Sequence, residues 1–282
     1  MLANKILPKG TILHEVISLG EYWYRIYTNP LPMLAKELKI PFGEDKNQYL
    51  LLFLPNRPIK DKAIIYFHGG GWAFGKPEAF RNNAACFVQE GYPVILPAYR
   101  KVPKFNSNQI REDAFLAIQR GKELFRQHLG KDIDIIVGGM SAGGNLAALA
   151  FLDQESLQKY QISAHQLKGL IALGAPLELQ HMNKALSLRI YAGKANSKQF
   201  QKANPINFLN HPAPGPILCI HGTRDGLVNY ESAQIFAEAF QKKQQHRLDF
   251  LTLPNTSHIE VASWPLQQIQ VKKKILQWLE DL

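Results

Sequence analysis

The chain has 282 residues, of which 46% are hydrophobic and 20% are charged, a balance typical of globular proteins that excludes long disordered stretches. The 33 Lys and Arg against 23 Asp and Glu give a net charge of +10, but the positive residues are spread along the chain. The densest run, Lys272 to Lys274, falls on a predicted terminal helix and is typical of a solvated helix face. We therefore predict no nucleic-acid partner, and a single domain over residues 1–282.

Residues 1–45 precede the first predicted strand of the core. The first ten contain no apolar run long enough for a secretory signal, which predicts a cytoplasmic protein without stable membrane insertion. The segment also carries five large apolar side chains, Trp23, Tyr24, Tyr27, Met33 and Leu34. We expect these side chains either to form a small cap over a substrate pocket, together with an insert near 176–215, or to pack the segment onto the domain.

The hydrophobic pattern predicts seven strands, near 48–54, 62–67, 93–97, 134–138, 168–174, 216–220 and 247–253. Helical runs lie between most of them, near 78–90, 109–128, 143–156, 230–242 and 265–280. This alternation favours an α/β fold with a mainly parallel central sheet and helices on both faces.

The predicted strand at 62–67 runs directly into His68, Gly69, Gly70 and Gly71. Consecutive glycines leave main-chain N–H groups unshielded by side chains, which suits them to stabilising a developing negative charge. A His-Gly-Gly-Gly motif supplies part of the oxyanion hole in lipases and esterases. For His68 itself, a structural hydrogen-bonding role is favoured over acid-base chemistry.

A second strand, near 134–138, ends in the sequence Gly139-Met140-Ser141-Ala142-Gly143, and a helix-forming run follows. Gly-x-Ser-x-Gly at a strand-to-helix junction is typical of the sharp turn that presents a nucleophilic serine above a parallel sheet. Glycine is needed on both sides because the two flanking backbones approach closely. Ser141 is therefore the candidate nucleophile.

A serine nucleophile needs a histidine base and a carboxylate that orients the histidine. After this kind of turn they follow in the chain order serine, acid, histidine. Among the histidines that follow Ser141, His258 comes after a strand-like run and a turn-forming loop. Asp225 and Glu178 both follow predicted strands, and reacting groups gather at the carboxyl ends of strands. Asp225 is favoured as the acid because Glu178 leads into the predicted insert.

Together these motifs resemble the α/β-hydrolases of the hormone-sensitive-lipase and carboxylesterase group, including its BD-FAE-like members. The matching residues are His68 to Trp72, Tyr99 and Arg100 with Pro103, Gly139 to Asn145, Asp225 with Val228, and His258. The resemblance implies Ser141 as nucleophile, Asp225 as orienting acid and His258 as base. It also implies an oxyanion hole built from the amides of Gly70, Gly71 and Ala142, with His68 and Gly69 supporting the loop.

The resemblance implies a serine carboxylesterase, a carboxylic ester hydrolase that cleaves small-molecule esters through an acyl-enzyme intermediate. Short acyl chains are expected because no apolar lid helix of the lipase type is apparent. The stretch from Gly43 to Pro55 is similar to the branch of smaller carboxylesterases and kynurenine-formamidase-like proteins. An arylformamidase or amidase is therefore an alternative. A serine peptidase and a noncatalytic binding module are two others. No metal-ligand spacing or phosphate-binding loop occurs, so neither a metal nor a cofactor is predicted.

Overall fold

The computed structural model describes residues 7–56, 59–182 and 186–282. Its strands are β1 (Ala35–Pro41), β2 (Tyr49–Pro55), β3 (Lys62–Phe67), β4 (Val94–Pro97), β5 (Asp134–Met140), β6 (Leu167–Leu173), β7 (Ile217–Gly222) and β8 (Leu248–Leu253). They form one sheet in the order β1-β2-β4-β3-β5-β6-β7-β8. The pairs β1/β2 and β2/β4 are antiparallel, and the other neighbouring pairs are parallel. The prediction of a mainly parallel sheet is confirmed.

The helices are α1 (Ile12–Thr28), α2 (Arg81–Gln89), α3 (Ser107–Leu129), α4 (Ala142–Leu152), α5 (Gln154–Lys159), α6 (Leu186–Ala192), α7 (Lys198–Ala203), α8 (Tyr230–Lys243), α9 (His258–Ala262) and α10 (Ile269–Glu280). Single 3-10 turns lie at Pro77–Phe80, Ala164–Gln166, Leu179–His181 and Pro205–Phe208. Within the described ranges, no helix combines the length and the apolar character that crossing a membrane requires.

Both faces of the sheet are buried, because alternate side chains of a strand point to opposite faces. In β2, Leu50 and Leu52 pack into a core that also contains residues of α3 and α4. Leu51 and Phe53 pack into a second core with residues of α2 and α10. Helices therefore cover both faces, as the sequence predicts.

The chain before β2 contains two elements that the hydrophobic pattern does not predict. β1 pairs antiparallel with β2 and extends the sheet by an edge strand. α1 begins after Thr11, whose hydroxyl accepts a hydrogen bond from the N–H of His14. The side chains on its buried face are largely polar, namely His14, Glu15, Ser18, Tyr22 and Ile26. Its exposed side chains include Ile12, Leu13, Val16, Trp23, Tyr24 and Tyr27.

The insert between β6 and β7 contains α6 and α7, and its described residues form no strand. It is fastened to α4 through the side chain of Asn145, whose Nδ2 donates to the carbonyl oxygens of Pro176 at 3.0 Å and Ala203 at 3.2 Å. The Tyr191 hydroxyl donates to Asn145 Oδ1 at 3.2 Å, and the Tyr191 ring stacks on Trp72. The insert is thus held against the helix that starts beside Ser141.

Candidate active site

Ser141 occupies a strained turn between β5 and α4. Its φ of 56° lies in a region that non-glycine residues rarely adopt, and its N–H donates to the Leu173 carbonyl oxygen at 2.8 Å. A Cβ on Gly143 would lie 2.2 Å from the Phe67 carbonyl oxygen, and one on Gly139 would lie 2.4 Å from the Gly143 carbonyl carbon. Close backbone packing therefore requires both glycines of the motif.

Asp225 and His258 are joined by a short hydrogen bond between buried side chains. The Nδ1 of His258 lies 2.6 Å from Oδ2 of Asp225. The other carboxylate oxygen, Oδ1, accepts from the main-chain N–H groups of Leu227 at 2.9 Å and Val228 at 2.7 Å. These bonds fix the carboxylate, and the carboxylate in turn orients the imidazole.

His221, on β7, is a second histidine beside Asp225. Its Nε2 lies 3.0 Å from the Val228 carbonyl oxygen, and because a carbonyl oxygen only accepts, Nε2 must carry the hydrogen. The same nitrogen lies 3.3 Å from Oδ2 of Asp225. His221 is not among the site residues that the sequence predicts, although its position at the end of a strand, four residues before Asp225, is a signal for it.

The charges of Asp225 and His258 shift the pKa values of both side chains. Burial alone would raise the pKa of Asp225, but the charge of His258 and the hydrogen bonds from both histidines bring it below its ordinary value. Burial alone would lower the pKa of His258, but the charge and hydrogen bond of Asp225 raise it above its ordinary value. Asp225 is therefore ionised at neutral pH, and His258 is a stronger base than a free imidazole.

Ser141 and His258 line the same cavity, which has a volume of about 870 Å³. Gly69, Gly70 and Gly71 form part of its wall. The cavity thus brings together the three stretches of chain that the sequence singles out. Its walls are otherwise mainly apolar, and they include Leu19, Tyr22, Phe74, Phe80, Leu227 and Ile259.

The glycine loop after β3 has the backbone conformation that its sequence requires. Gly70 and Gly71 have φ values of 131° and 57°, and a Cβ on Gly70 would lie 2.4 Å from the Phe74 carbonyl oxygen. A Cβ on Gly69 would lie 3.4 Å from that of Ser141, so the loop packs directly on the serine turn. Ala142 follows Ser141 as the first residue of α4, where the positive end of the helix dipole lies. The use of these amides as an oxyanion hole stays a prediction.

His68 supports the loop from beneath. Its Nδ1 donates to the Gly69 carbonyl oxygen at 2.7 Å, and its ring stacks on Tyr99 at a centroid distance of 4.3 Å. The Tyr99 hydroxyl donates to the His68 carbonyl oxygen at 2.8 Å. Burial lowers the pKa of His68 to about 3, so the ring is neutral. These are the contacts of a structural histidine.

Glu178, the alternative acid, lies elsewhere in the fold. Its carboxylate accepts from the N–H groups of Gln180 and His181 and from Nδ2 of Asn204. These bonds hold together the start of the insert. The structure brings Asp225, and not Glu178, to His258.

The N-terminal segment and the insert between β6 and β7 both contribute side chains to the cavity wall. Trp23 and Tyr27 of α1 line it and remain exposed, and Ser187 of α6 lines it from the insert. Met33 instead packs against the core beside β2. Trp23 and Tyr27 thus lie over the cavity, as expected of a cap, whereas Met33 packs the segment onto the domain.

Family comparison agrees with this architecture. The BD-FAE family model matches residues 50–240 of the sequence. The chain belongs to the BD-FAE family. The resemblance to carboxylesterase-like α/β-hydrolases that the motifs indicate is thereby confirmed.

This BD-FAE chain has several curated relatives of low identity. Esterase LipC of Mycobacterium tuberculosis is 24% identical over 241 residues, which cover 78% of this chain and 59% of that protein. Kynurenine formamidase of Danio rerio is 28% identical over 148 residues, 51% of this chain and 47% of that protein. Kynurenine formamidase of Salmo salar is 26% identical over 234 residues, which cover 79% of this chain and 75% of that protein. The chain thus spans about half to three-fifths of the length of LipC and the Danio rerio protein.

Solved structures share the fold of this BD-FAE chain. Esterase B from Lactobacillus rhamnosis superposes with a TM-score of 0.76 and 18% identity, covering 95% of this chain and 92% of its own. The thermostable carboxylesterase EstE1, cloned from a metagenomic library, superposes with a TM-score of 0.73 and 18% identity, covering 92% of each chain. At such identities the likeness establishes the α/β-hydrolase fold.

Glu15 of α1 contacts the site through main-chain N–H groups, and the sequence does not predict it there. Its Oε1 accepts hydrogen bonds from the N–H groups of Gly226 and His258, both at 2.9 Å, and its Oε2 accepts one from Ile259 at 3.1 Å. Only 1% of the residue is exposed. Glu15 thus connects the loop of Asp225 to the helix that begins with His258. An acidic residue in the first turn after a Thr cap indicates the start of a helix. It gives no indication that the carboxylate binds the main chain at Gly226 and His258.

Across residues 7–56, 59–182 and 186–282, no group of three or more His, Cys, Asp or Glu side chains is arranged to hold a metal ion.

Proposed function

We propose that the protein is a serine carboxylesterase that hydrolyses short-chain acyl esters, with Ser141 as nucleophile, His258 as base and Asp225 as the acid that orients it. The observation that carries the proposal is the 2.6 Å bond from His258 to Asp225 in the cavity that Ser141 also lines. An ionised carboxylate on Nδ1 leaves Nε2 of the imidazole to exchange protons with the serine. The names of LipC and of the esterase structures support the same reaction class.

In the proposed reaction, Ser141 Oγ attacks the ester carbonyl carbon while His258 Nε2 takes the hydroxyl proton. The amides of Gly70, Gly71 and Ala142 donate to the oxyanion of the tetrahedral intermediate. His258 then gives its proton to the leaving alcohol, and an acyl-enzyme remains. A water molecule attacks the acyl-enzyme with the same histidine as base, which releases the acid and restores Ser141.

Hydrolysis of a formamide is the second candidate, and the observation that favours it is the similarity to two kynurenine formamidases. The same three side chains suit an amide carbonyl, because the intermediate has the same charge and geometry. The difference lies in the leaving group, an arylamine instead of an alcohol. His258 would protonate that nitrogen.

Kinetic comparison of the wild-type protein with Ser141→Ala tests the proposal. A series of nitrophenyl esters of increasing acyl length gives the acyl preference, and N-formylkynurenine against a phenyl ester compares the two reaction classes. We expect Ser141→Ala to lower kcat by about three or more orders of magnitude on every substrate that the wild type hydrolyses.

Ser187→Ala is the matched control, because it removes another serine hydroxyl from the wall of the same cavity. It is expected to keep most of the activity. Full esterase activity in Ser141→Ala would refute the proposed nucleophile. A preference for long acyl chains would refute the short-chain assignment alone.

A further inference from the structure

Lys101 brings a positive charge into the mainly apolar wall of the cavity. The side chain is half-buried and lines the cavity that Ser141 and His258 also line. Its Nζ donates to the Tyr99 carbonyl oxygen at 2.9 Å and lies 5.1 Å from the centre of the Tyr99 ring. An ammonium group has three donors, so two remain after the bond to Tyr99.

The acidic side chains near Lys101 are paired with other cations. Arg100 lies 2.7 Å from Asp113, and Lys104 lies 3.2 Å from Asp45. In the described part of the chain, no carboxylate lies within the 4.0 Å of an ion pair from Lys101 Nζ. Burying a charge without a counter-ion is unfavourable.

Lys76 lines the same cavity. Burial lowers the pKa of Lys101 to about 8, against the charges of Asp113 and Asp45, which raise it, while the charge of Lys76 lowers it further. The group thus remains mainly cationic at neutral pH. The cavity contains two lysines where a purely apolar substrate would need none.

We propose that Lys101, assisted by Lys76, binds a carboxylate group carried by the substrate, so that the preferred substrates are anionic esters or formamides. This inference rests on the proposed hydrolase function. The bound carboxylate would accept from the two remaining donors of Lys101 and supply the counter-ion that the described residues do not. The rest of the substrate would lie against the apolar wall, with its scissile carbonyl at Ser141.

Matched ester pairs test this proposal. The first pair compares the acetate ester of hydroxybenzoate with that of hydroxybenzamide, which places the carboxylate on the alcohol part of the ester. The second pair compares the half-ester of a dicarboxylic acid with the same ester whose free carboxylate is converted to an amide, which places the carboxylate on the acyl part. In the wild type we expect kcat/KM to favour the anion by about tenfold or more in one of the two pairs. Lys101→Met should lower this ratio about tenfold, mainly through KM, and Lys101→Arg should keep part of it.

Lys242→Met is the control, since Lys242 is an exposed lysine of α8 and its loss changes the net charge equally. It should keep the ratio. Thermal unfolding provides a second readout: Lys101→Met should have a higher Tm than the wild type because an uncompensated charge is no longer buried. An unchanged ratio in folded Lys101→Met, or no preference for the anion in either pair, would overturn the carboxylate site. Hydrolysis of the neutral esters that depends on Ser141 would show that the proposed function stands regardless.

A separate observation concerns Glu15, which accepts three main-chain hydrogen bonds from the loop of Asp225 and the start of α9. Its negative charge also contributes to raising the pKa of His258. Charged and titratable groups surround the imidazole and its helix. They are His221 on β7, Asp225 in the loop after β7, Glu15 on α1, and Glu260 on α9 with its ion-pair partner Lys9.

We infer that Glu15 is a positioning residue for the hydrolytic site, acting on His258 and Asp225 through their main chain. It rests on the same proposed function. The Ser257–Glu260 capping box of α9 pairs the N–H of Glu260, and the Glu15 carboxylate accepts from the two N–H groups before it, those of His258 and Ile259. Glu15 thereby holds the loop of Asp225 and the start of α9 at one separation. Small displacements of a base from its nucleophile lower kcat strongly.

Glu15→Gln and Glu15→Ala test this role, with Glu231→Gln in the exposed first turn of α8 as the control. The acidic limb of the kcat/KM profile should move to lower pH in both Glu15 variants, because the charge that favours protonated His258 is gone. Glu15→Ala should also lose about tenfold in kcat, and Glu15→Gln, which keeps one acceptor oxygen, should lose less. A folded Glu15→Ala protein with an unmoved limb and an unchanged kcat would overturn the inference.

Discussion

The carboxylate of Asp225 lies 2.6 Å from Nδ1 of His258, and both side chains are almost fully buried. Main-chain N–H groups and His221 hold the carboxylate, while Glu15 holds the main chain of the histidine. The imidazole is therefore fixed from two sides. The orientation of the imidazole therefore depends on Asp225.

Asp225→Asn should leave the fold intact and lower kcat by about three to four orders of magnitude, because an amide no longer selects the tautomer that leaves Nε2 free to accept a proton. Ester hydrolysis under saturating substrate measures it. The control is Asp132→Asn, an exposed position two residues before β5 and at the opposite end of that strand from Ser141. Near-normal kcat in Asp225→Asn would contradict the orienting role.

The pH dependence follows from the state that His258 must have to act as a base. Burial lowers and Asp225 raises the pKa of His258, with a net increase above its ordinary value. Since the base is the neutral form, kcat/KM should fall as the pH drops through this raised pKa. The midpoint of the acidic limb is thus expected above about 6.5, the ordinary value for histidine. A limb below that value would contradict the pairing with an ionised Asp225.

Gly143→Ala should destabilise the protein by about 2–3 kcal/mol, since the added methyl group would meet the Phe67 carbonyl oxygen at 2.2 Å. Urea unfolding measures the free energy. Gly20→Ala is the opposite case, because nothing lies within 4 Å of the added Cβ and alanine favours the helix by about 0.5–1 kcal/mol. Equal effects of the two changes would contradict the close packing of the serine turn.

Asn145→Leu should loosen the insert. The change removes the donors to the Pro176 and Ala203 carbonyl oxygens and leaves these groups without their partner, at a cost of about 2–4 kcal/mol. Amide hydrogen exchange should rise across α6 and α7, and urea unfolding should show the lower stability. Asn108→Leu, on the exposed start of α3, should do neither. Unchanged exchange in the insert would contradict the anchoring.

The sequence predicts the parts of this molecule that obey regular spacing. Seven of its strands, the serine turn and the loop of His68 can be predicted because buried strands form apolar runs and tight turns need glycine. The closeness of Asp225 and His258 can be predicted because each follows a parallel strand, and parallel strands place their carboxyl ends at one edge of the sheet. These residues are near in space for reasons that the chain shows locally.

The parts that the sequence does not predict depend on distant contacts. α1 buries Glu15 and Ser18 and exposes Ile12 and Val16, the reverse of the apolar-inward pattern by which a helix face is assigned. Glu15 is buried because its partners are main-chain N–H groups more than 200 residues away. Neither the contact of Glu15 with these N–H groups nor the position of Lys101 in the cavity wall has any signal in the local sequence.

A nucleophilic Ser141 would have an unusually reactive hydroxyl, and covalent labelling tests this without any knowledge of the substrate. The folded protein is treated with a fluorophosphonate probe and digested with trypsin, and fragmentation of the peptide that spans residues 132–159 locates the adduct. The account predicts a stoichiometric adduct on Ser141 that is absent in Ser141→Ala and greatly slowed in Asp225→Asn. An unlabelled wild-type protein, or an adduct at Ser156 of the same peptide instead of Ser141, would contradict it.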